Sequence, residues 1–302
     1  MRSNPIPFAV RCFQPTALCV LLCTLLFSAA SAADDTSEGP DPASGWKWND
    51  PQDLKLTGVR HGTLESASMK RTVGFNIYLP PQYETEPSRH FPVVYFLHGS
   101  TGTESSDVWL AHFVQVEVAA GRIEPVIYVF PNGGAESEYR DWPTGSVKVE
   151  TLLIRELIPF IDREYRTITR PGARAISGFS MGGEGALRLT LKYPGLFASA
   201  AALAAGSAQT PDGHNGDNIY RHASALNQSE RDRLYLYLVV GENDEQFAWH
   251  TPLLRHFKDH GIKYTYVVHS KVGHDLGLYN QLSAADMIRH LSRELARKPK
   301  AY

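Results

Sequence analysis

The stretch AISGFSMGGEGAL, from Ala175 to Leu187, constrains the fold of this chain more than any other. It sets four glycines and two serines between two apolar runs. Upstream, RAIS reads as the end of a short buried strand. Downstream, GALRLTLKY has helical spacing, with Leu187 and Leu191 four residues apart. The glycines therefore fall at a strand-to-helix turn, where backbones approach too closely for Cβ atoms. Within the turn, Gly178-Phe179-Ser180-Met181-Gly182 fits G-x-S-x-G, a pattern that lifts a serine hydroxyl above the edge of a sheet. Ser177 belongs to the strand and is expected to be buried.

A turn of this kind needs a sheet around it. TVGFNIYLP, FPVVYFLHG and EPVIYVFPNGG read as strands, the last almost continuously apolar, as strands covered on both faces are. Residues 107–121 are expected to be helical, with Trp109, Phe113, Val116 and Ala120 on one face. Residues 150–165 form a second helix, with Leu153, Leu157 and Ile161 inward. Beyond the turn come the strand LYLYLVVG, the helix HTPLLRHFKDHG, the strand KYTYVVHS and a last helix from about Ala284 to Ala296. Strands alternating with helices predict an α/β fold, a mostly parallel sheet with helices on both faces. No linker interrupts residues 51–302, which read as one catalytic domain.

A serine hydroxyl is a weak nucleophile without a base. Such sheets carry their sites at the carboxyl ends of the strands, so the partners of Ser180 should follow later strands. After YLVV comes GENDEQF, where Asp244 is the expected acid, with Glu242 and Glu245 competing in the same loop. After KYTYVVHS comes KVGHDLG, where His274 is the expected base and His269 the runner-up. The order Ser180, Asp244, His274 is that of an α/β-hydrolase triad. His250, His256 and His260 fall on a helix and read as surface residues. A developing oxyanion would take its donors from the Met181 N–H and from the loop YFLHGSTG, with Ser100 preferred over Gly99 and Thr101. His98 reads as a residue that orders this loop. Trp142, in YRDWPTG, is a candidate substrate-binding residue, with a core position as the alternative.

Together NIYLPPQYE, FPVVYFLHGSTG, VFPNGG, DWPTG, AISGFSMGGEGAL, VVGENDEQF and VGHDLG resemble the esterase D-like branch of the α/β-hydrolase superfamily. That branch includes S-formylglutathione hydrolases, feruloyl and acetylxylan esterases and mycolyltransferases. The resemblance covers about residues 59–295. It implies triad roles for Ser180, Asp244 and His274 and oxyanion roles for Ser100 and Met181, with no metal and no organic cofactor. No large lid is apparent in the sequence, so short-chain acyl esters, or aromatic ones received by Trp142, are the expected substrates, small or attached to a polysaccharide. A transferase passing the same acyl group to a sugar or lipid is the alternative, and an idle hydrolase scaffold used for binding a more distant one. HGSTGTESS lacks the cysteine that S-formylglutathione hydrolases carry in this loop.

The amino-terminal residues stand apart. Arg2 and Arg11, the apolar run ALCVLLCTLLF and Ala30-Ser31-Ala32 give the three parts of a secretory signal peptide over residues 1–32. The apolar run is about eleven residues, short of the ~20 a spanning helix needs. Secretion or a periplasmic location follows as an expectation. All three cysteines, Cys12, Cys19 and Cys23, lie in this segment. Residues 33–50, acidic and rich in Pro, Gly and Ser, are expected to be a flexible leader. The chain carries 30 basic and 32 acidic residues, too balanced to form a field for nucleic acid.

Overall fold

The computed structural model describes residues 45–206 and 213–296, so the predicted signal sequence and most of the predicted leader lie outside the described residues. The chain opens with the hairpin β1 (Val59–Ser66) and β2 (Arg71–Tyr78), followed by a single turn, α1 (Gln82–Thr85). Then come β3 (Val93–Leu97), α2 (Leu110–Ala119) and β4 (Ile127–Pro131). A continuous helical segment follows as α3 (Val149–Thr151), a π-helical stretch Leu152–Leu157 and α4 (Ile158–Glu164). The strand-turn-helix of the glycine-rich motif is β5 (Arg174–Phe179) and α5 (Met181–Lys192). The rest is β6 (Ser199–Leu203), α6 (Ile219–Ala225), α7 (Gln228–Arg233), β7 (Tyr235–Gly241), α8 (Phe247–Asp259), β8 (Lys263–His269) and α9 (Leu276–Ala296).

Among the described residues the strands form one eight-stranded sheet in the order β1-β2-β4-β3-β5-β6-β7-β8. β2 runs antiparallel to β1 and β4, and every other neighbouring pair is parallel. This is the α/β-hydrolase fold. Its middle strands β3, β4 and β6 are buried along their whole length, as the apolar runs require. Helices α3 to α6 and α8 pack on one face around Leu153, Leu189 and Phe257. Helices α2 and α9 pack on the other around Val114, Met287 and Leu291. No described helix is long and apolar enough to cross a membrane.

The structure departs from the sequence reading in several places. In α2 the inward stripe is Leu110, Val114 and Val118, whereas Trp109 is 61% and Val116 44% exposed. That helix carries apolar residues on two stripes, so periodicity allows two faces and packing selects one. The helix expected over 150–165 is present, and Leu153, Leu157 and Ile161 are buried. It widens into π geometry just before Pro159, whose missing amide interrupts the regular ladder. The last helix begins eight residues earlier than expected, at Leu276. Asp275 starts it, its carboxylate accepting from the Leu278 N–H (3.1 Å). β6, alanine-rich and not assigned from the sequence, is a strand because it lies between β5 and β7. The stretch after β6, expected to be irregular, contains the 3₁₀ turn Gly213–Gly216 and α6.

The expected flexible leader is corrected at residues 45–50, which pack on the domain. Trp48 is buried, with the Arg71 guanidinium 5.4 Å from its ring centre, and its carbonyl accepts from the Gly74 N–H (2.7 Å). The two tryptophans supply the apolar area that a composition rich in Pro, Gly and Ser otherwise lacks.

Candidate active site

β3 to β8 share one direction, so their carboxyl ends form a single edge, and Ser180, Asp244 and His274 meet there. Ser180 sits at the turn between β5 and α5 with φ 54° and ψ −119°, a conformation that costs a non-glycine residue about 1–3 kcal/mol. The surroundings enforce it. The Ser180 N–H donates to Leu203 O (2.9 Å), and its carbonyl accepts from the Glu184 N–H (3.0 Å). A Cβ at Gly182 would lie 2.1 Å from Leu97 O, and one at Gly178 2.4 Å from the Gly182 backbone, so both positions require glycine.

His274 lies in the loop after β8, and its imidazole bridges two groups. Nε2 is 2.9 Å from Ser180 Oγ, and Nδ1 is 2.9 and 3.1 Å from the two carboxylate oxygens of Asp244. The acceptor-only carboxylate places the ring proton on Nδ1, leaving Nε2 with a lone pair toward the serine. Asp244 has no exposed side-chain surface, whereas His274 retains 29%. The competing carboxylates lie elsewhere: Glu242 accepts from the Ser270 hydroxyl (2.8 Å), and Glu245 from the Gln246 side-chain amide (3.3 Å). His269, the runner-up, is 2.6 Å from Ser283 Oγ.

Two further residues complete the arrangement, and sequence reading missed both. Tyr279, fully buried on α9, donates to Asp244 Oδ2 (2.7 Å) and accepts from the Gly241 N–H (2.6 Å). Burial, reinforced by Asp244, raises its pKa, so the phenol keeps the proton it donates. Phe179 lies against the imidazole, ring centres 4.7 Å apart, and near Tyr279 at 6.0 Å. The variable position before the serine thus forms a wall for His274. Only the placement of Tyr279 five residues after His274 could have signalled it.

Met181 begins α5, and its N–H has no acceptor within the helix, as at any helix start. Ser100 is exposed at the end of β3. Its neighbours bond within the loop region, Thr101 N–H to Ala135 O (2.8 Å) and Gly102 N–H to Gly99 O (3.1 Å). Gly99 packs on the serine, since a Cβ there would lie 3.1 Å from the Phe179 ring and 3.5 Å from Ser180 Cβ. His98 braces this loop from below. Its Nε2 accepts from the Gly133 N–H (2.8 Å), which leaves Nδ1 protonated and donating to Gly99 O (2.7 Å). Burial lowers its pKa to about 4, so the ring stays neutral.

Trp142 is half-buried in the loop after β4 and packs on the core, its backbone N–H donating to Val147 O (2.8 Å). Among the described residues no hydrogen bond or ring contact joins it to Ser180, His274 or Asp244. A different aromatic wall stands at this edge: Ile219, Tyr220, Trp249 and Leu253 line a cleft with Ala205 beside the start of α8, three residues past Asp244. His250, expected at the surface, lines the same cleft with 1% exposure, and burial lowers its pKa to about 4. Under α5 lies a buried ion cluster. Arg188 donates to Glu150 (2.6 Å) and Asp217 (3.0 Å), and Arg140 to Glu184 (2.9 Å) and Asp217 (2.8 Å).

A serine on a strained strand-to-helix turn, addressed by a histidine and an acid in chain order Ser-Asp-His at the carboxyl edge of this sheet, defines a protein of the α/β-hydrolase class. Within that class the chain belongs to the esterase family, in the esterase D-like group. The family model described as "Putative esterase" matches residues 66–271. The chain is 38% identical over 133 residues to an esterase of Mycobacterium tuberculosis, a match covering 43% of this chain and 28% of that protein. It is 29% identical over 170 residues to an endo-1,4-beta-xylanase/feruloyl esterase of Xylanibacter ruminicola, covering 52% and 23%. The chain thus spans about a quarter of the length of these relatives. A solved ferulic acid esterase superposes with a TM-score of 0.70 at 22% identity, over 78% of this chain and 98% of the other, a likeness of fold.

Proposed function

We propose that this chain is an exported serine carboxylesterase acting on short-chain or aromatic acyl esters. The observation that carries the reading is the His274 imidazole held between Ser180 Oγ at 2.9 Å and Asp244 at 2.9 Å. Ser180 attacks the ester carbonyl carbon while His274 Nε2 takes its proton. Asp244 holds the tautomer and stabilises the imidazolium. The carbonyl oxygen becomes an oxyanion between the Ser100 and Met181 N–H groups, donors fixed before the reaction begins. As the tetrahedral intermediate collapses, the C–O bond to the alcohol breaks and His274 returns the proton to that oxygen. Water, deprotonated by the same histidine, then releases the acid and restores Ser180. These steps call on no metal or organic cofactor.

An aromatic acyl group would find flat apolar surface on Tyr220 and Trp249, which stand beside the start of α8. Trp142 is retained as a second candidate wall. The feruloyl esterases among the relatives and solved structures support the aromatic reading. Export rests on the three-part pattern of residues 1–32.

A chain-length series of 4-nitrophenyl esters, together with methyl ferulate, tests the proposal with and without added sugar alcohols. The expected result is kcat/KM peaking between acetyl and about hexanoyl, because each further methylene adds its ~0.8 kcal/mol only where it is buried. Activity still rising past decanoyl would reject the substrate class. Efficient ester formation on the sugar would replace hydrolysis with acyl transfer.

A further inference from the structure

The segment Trp46–Asp50 lies ahead of the residues matched by the family, 66–271, yet it is wired to the loop that carries Ser100. Two buried side chains receive it. Asn132, at the end of β4, takes the Trp46 indole N–H on Oδ1 (3.2 Å) and donates from Nδ2 to Lys47 O (2.8 Å). Glu104, whose side chain has no exposed surface, accepts the Asp50 N–H on Oε1 (2.5 Å) and the Asn132 amide on Oε2 (2.5 Å). His61 Nε2 lies 3.2 Å from the same Oε1. The Asp50 carboxylate also accepts from Thr103 Oγ1 (3.1 Å), and its carbonyl from Ser105 Oγ (2.8 Å).

Both receivers lead to one place. Glu104, Thr103 and Ser105 are the far limb of the loop that begins at His98. Asn132 precedes Gly133, whose N–H fixes His98 Nε2, and His98 in turn fixes Gly99 O. Gly134 is left-handed at φ 76° and has Trp48 against it, since a Cβ there would lie 2.6 Å from the indole. The two limbs of the loop are thus closed by one peptide segment, and Ser100 lies between them.

We propose, on the esterase reading above, that Trp46–Asp50 is a positioning segment for the oxyanion loop, acting through Asn132 and Glu104. A buried carboxylate filled with N–H donors is a rigid hub, because losing any one donor leaves charge uncompensated away from the surface. Loosening the hub lets the Ser100 N–H drift from the position of the oxyanion. Loss of such a donor outright costs about 10²–10³ in kcat, so partial displacement is expected to cost about tenfold.

The test uses the full chain with Glu104→Gln, which turns one acceptor into a donor, and Trp46→Phe, which removes the indole N–H together with part of the ring that packs on the core. Ile262→Ala, a buried residue at the amino end of β8 and away from the site, serves as the stability control. The expected result is a kcat fall of about tenfold for Glu104→Gln and about threefold for Trp46→Phe, with KM within about twofold. Affinity for butylboronic acid, whose tetrahedral adduct carries the oxyanion, should fall in parallel. Amide exchange at Thr101 and Gly102 should quicken. Ile262→Ala should lower Tm and leave kcat unchanged. Unchanged exchange in the loop overturns the proposal, as does faster exchange with unchanged kcat and boronate affinity. A kcat loss no greater than that of a control with equal Tm loss overturns it too. If the parent chain cleaves no ester, the esterase reading fails, and the exchange result alone decides whether the segment holds the loop.

Discussion

Replacing Tyr279 by Phe separates the geometry of the triad from its charge. The tyrosine hydroxyl stands between Asp244 Oδ2 at 2.7 Å and the Gly241 N–H at 2.6 Å, and the side chain is fully buried. Phenylalanine keeps the ring and its contact with Phe179 but removes a donor to a charged acceptor. Hydrogen bonds to charged groups contribute about 1.5–3 kcal/mol, and the orphaned Gly241 N–H adds a desolvation cost of about 1 kcal/mol or more. A net loss of about 2–4 kcal/mol corresponds to a Tm fall of roughly 4–16 °C for a domain of this size. Catalysis should suffer much less. Asp244 retains its bond to His274 Nδ1 and the Gln246 N–H (2.8 Å), so the tautomer is preserved and kcat should fall no more than about tenfold. Differential scanning calorimetry and steady-state turnover of 4-nitrophenyl butyrate, measured on the same preparation, give both numbers. A kcat loss as large as that of Asp244→Asn would refute the division of labour, and an unchanged Tm would refute the assigned hydrogen bonds.

Three other outcomes follow from the same structure. Asp244→Asn should lower kcat by about 10⁴ because it favours the wrong imidazole tautomer, while Glu242→Gln and Glu245→Gln stay near the parent rate; steady-state kinetics decides it. Burial raises the Asp107 pKa from its ordinary 3.8 to about 7, and its Oδ2 has no hydrogen-bond partner among the described residues. The folded state therefore holds a proton that the unfolded chain gives up, and stability falls as pH rises between those values. Asp107→Asn should thus match the parent near ~pH 4 and exceed it by at most about 4 kcal/mol near ~pH 8, read by urea titration at both pH values. Arg188, with no exposed side-chain surface, should cost about 2–4 kcal/mol on substitution by Ala, because its packing and its bonds to Glu150 and Asp217 are lost although Lys192 stays on Glu150 (2.8 Å) and Arg140 on Asp217 (2.8 Å). A urea midpoint within error of the parent would refute that reading.

The parts that were legible from the residues are those where one local constraint dominates. Glycines at 178 and 182 can serve only a close approach, and the strands around them are too uniformly apolar to be anything but buried. Asp244 and His274 followed because each comes just after such a strand. What escaped is decided by long-range packing. Tyr279 is one polar-tipped aromatic among fourteen tyrosines until α9 folds it under Asp244. The face of α2 was ambiguous because both of its stripes are apolar. β6, rich in alanine, carries no strand signal of its own and is a strand between its two neighbours. Residues 46–50 have the composition of a leader, and only the buried amide of Asn132 and carboxylate of Glu104, far away in sequence, give them a place to dock.

The central claim is that Ser180 is the nucleophile and that His274 activates it. Reaction of the full chain with a fluorophosphonate, followed by peptide mass spectrometry, tests this most directly. The account predicts one phosphonyl group per chain, on the peptide at Ser180, and labelling slowed by orders of magnitude in His274→Ala. A label on Ser177 or elsewhere, or undiminished labelling without His274, would contradict it.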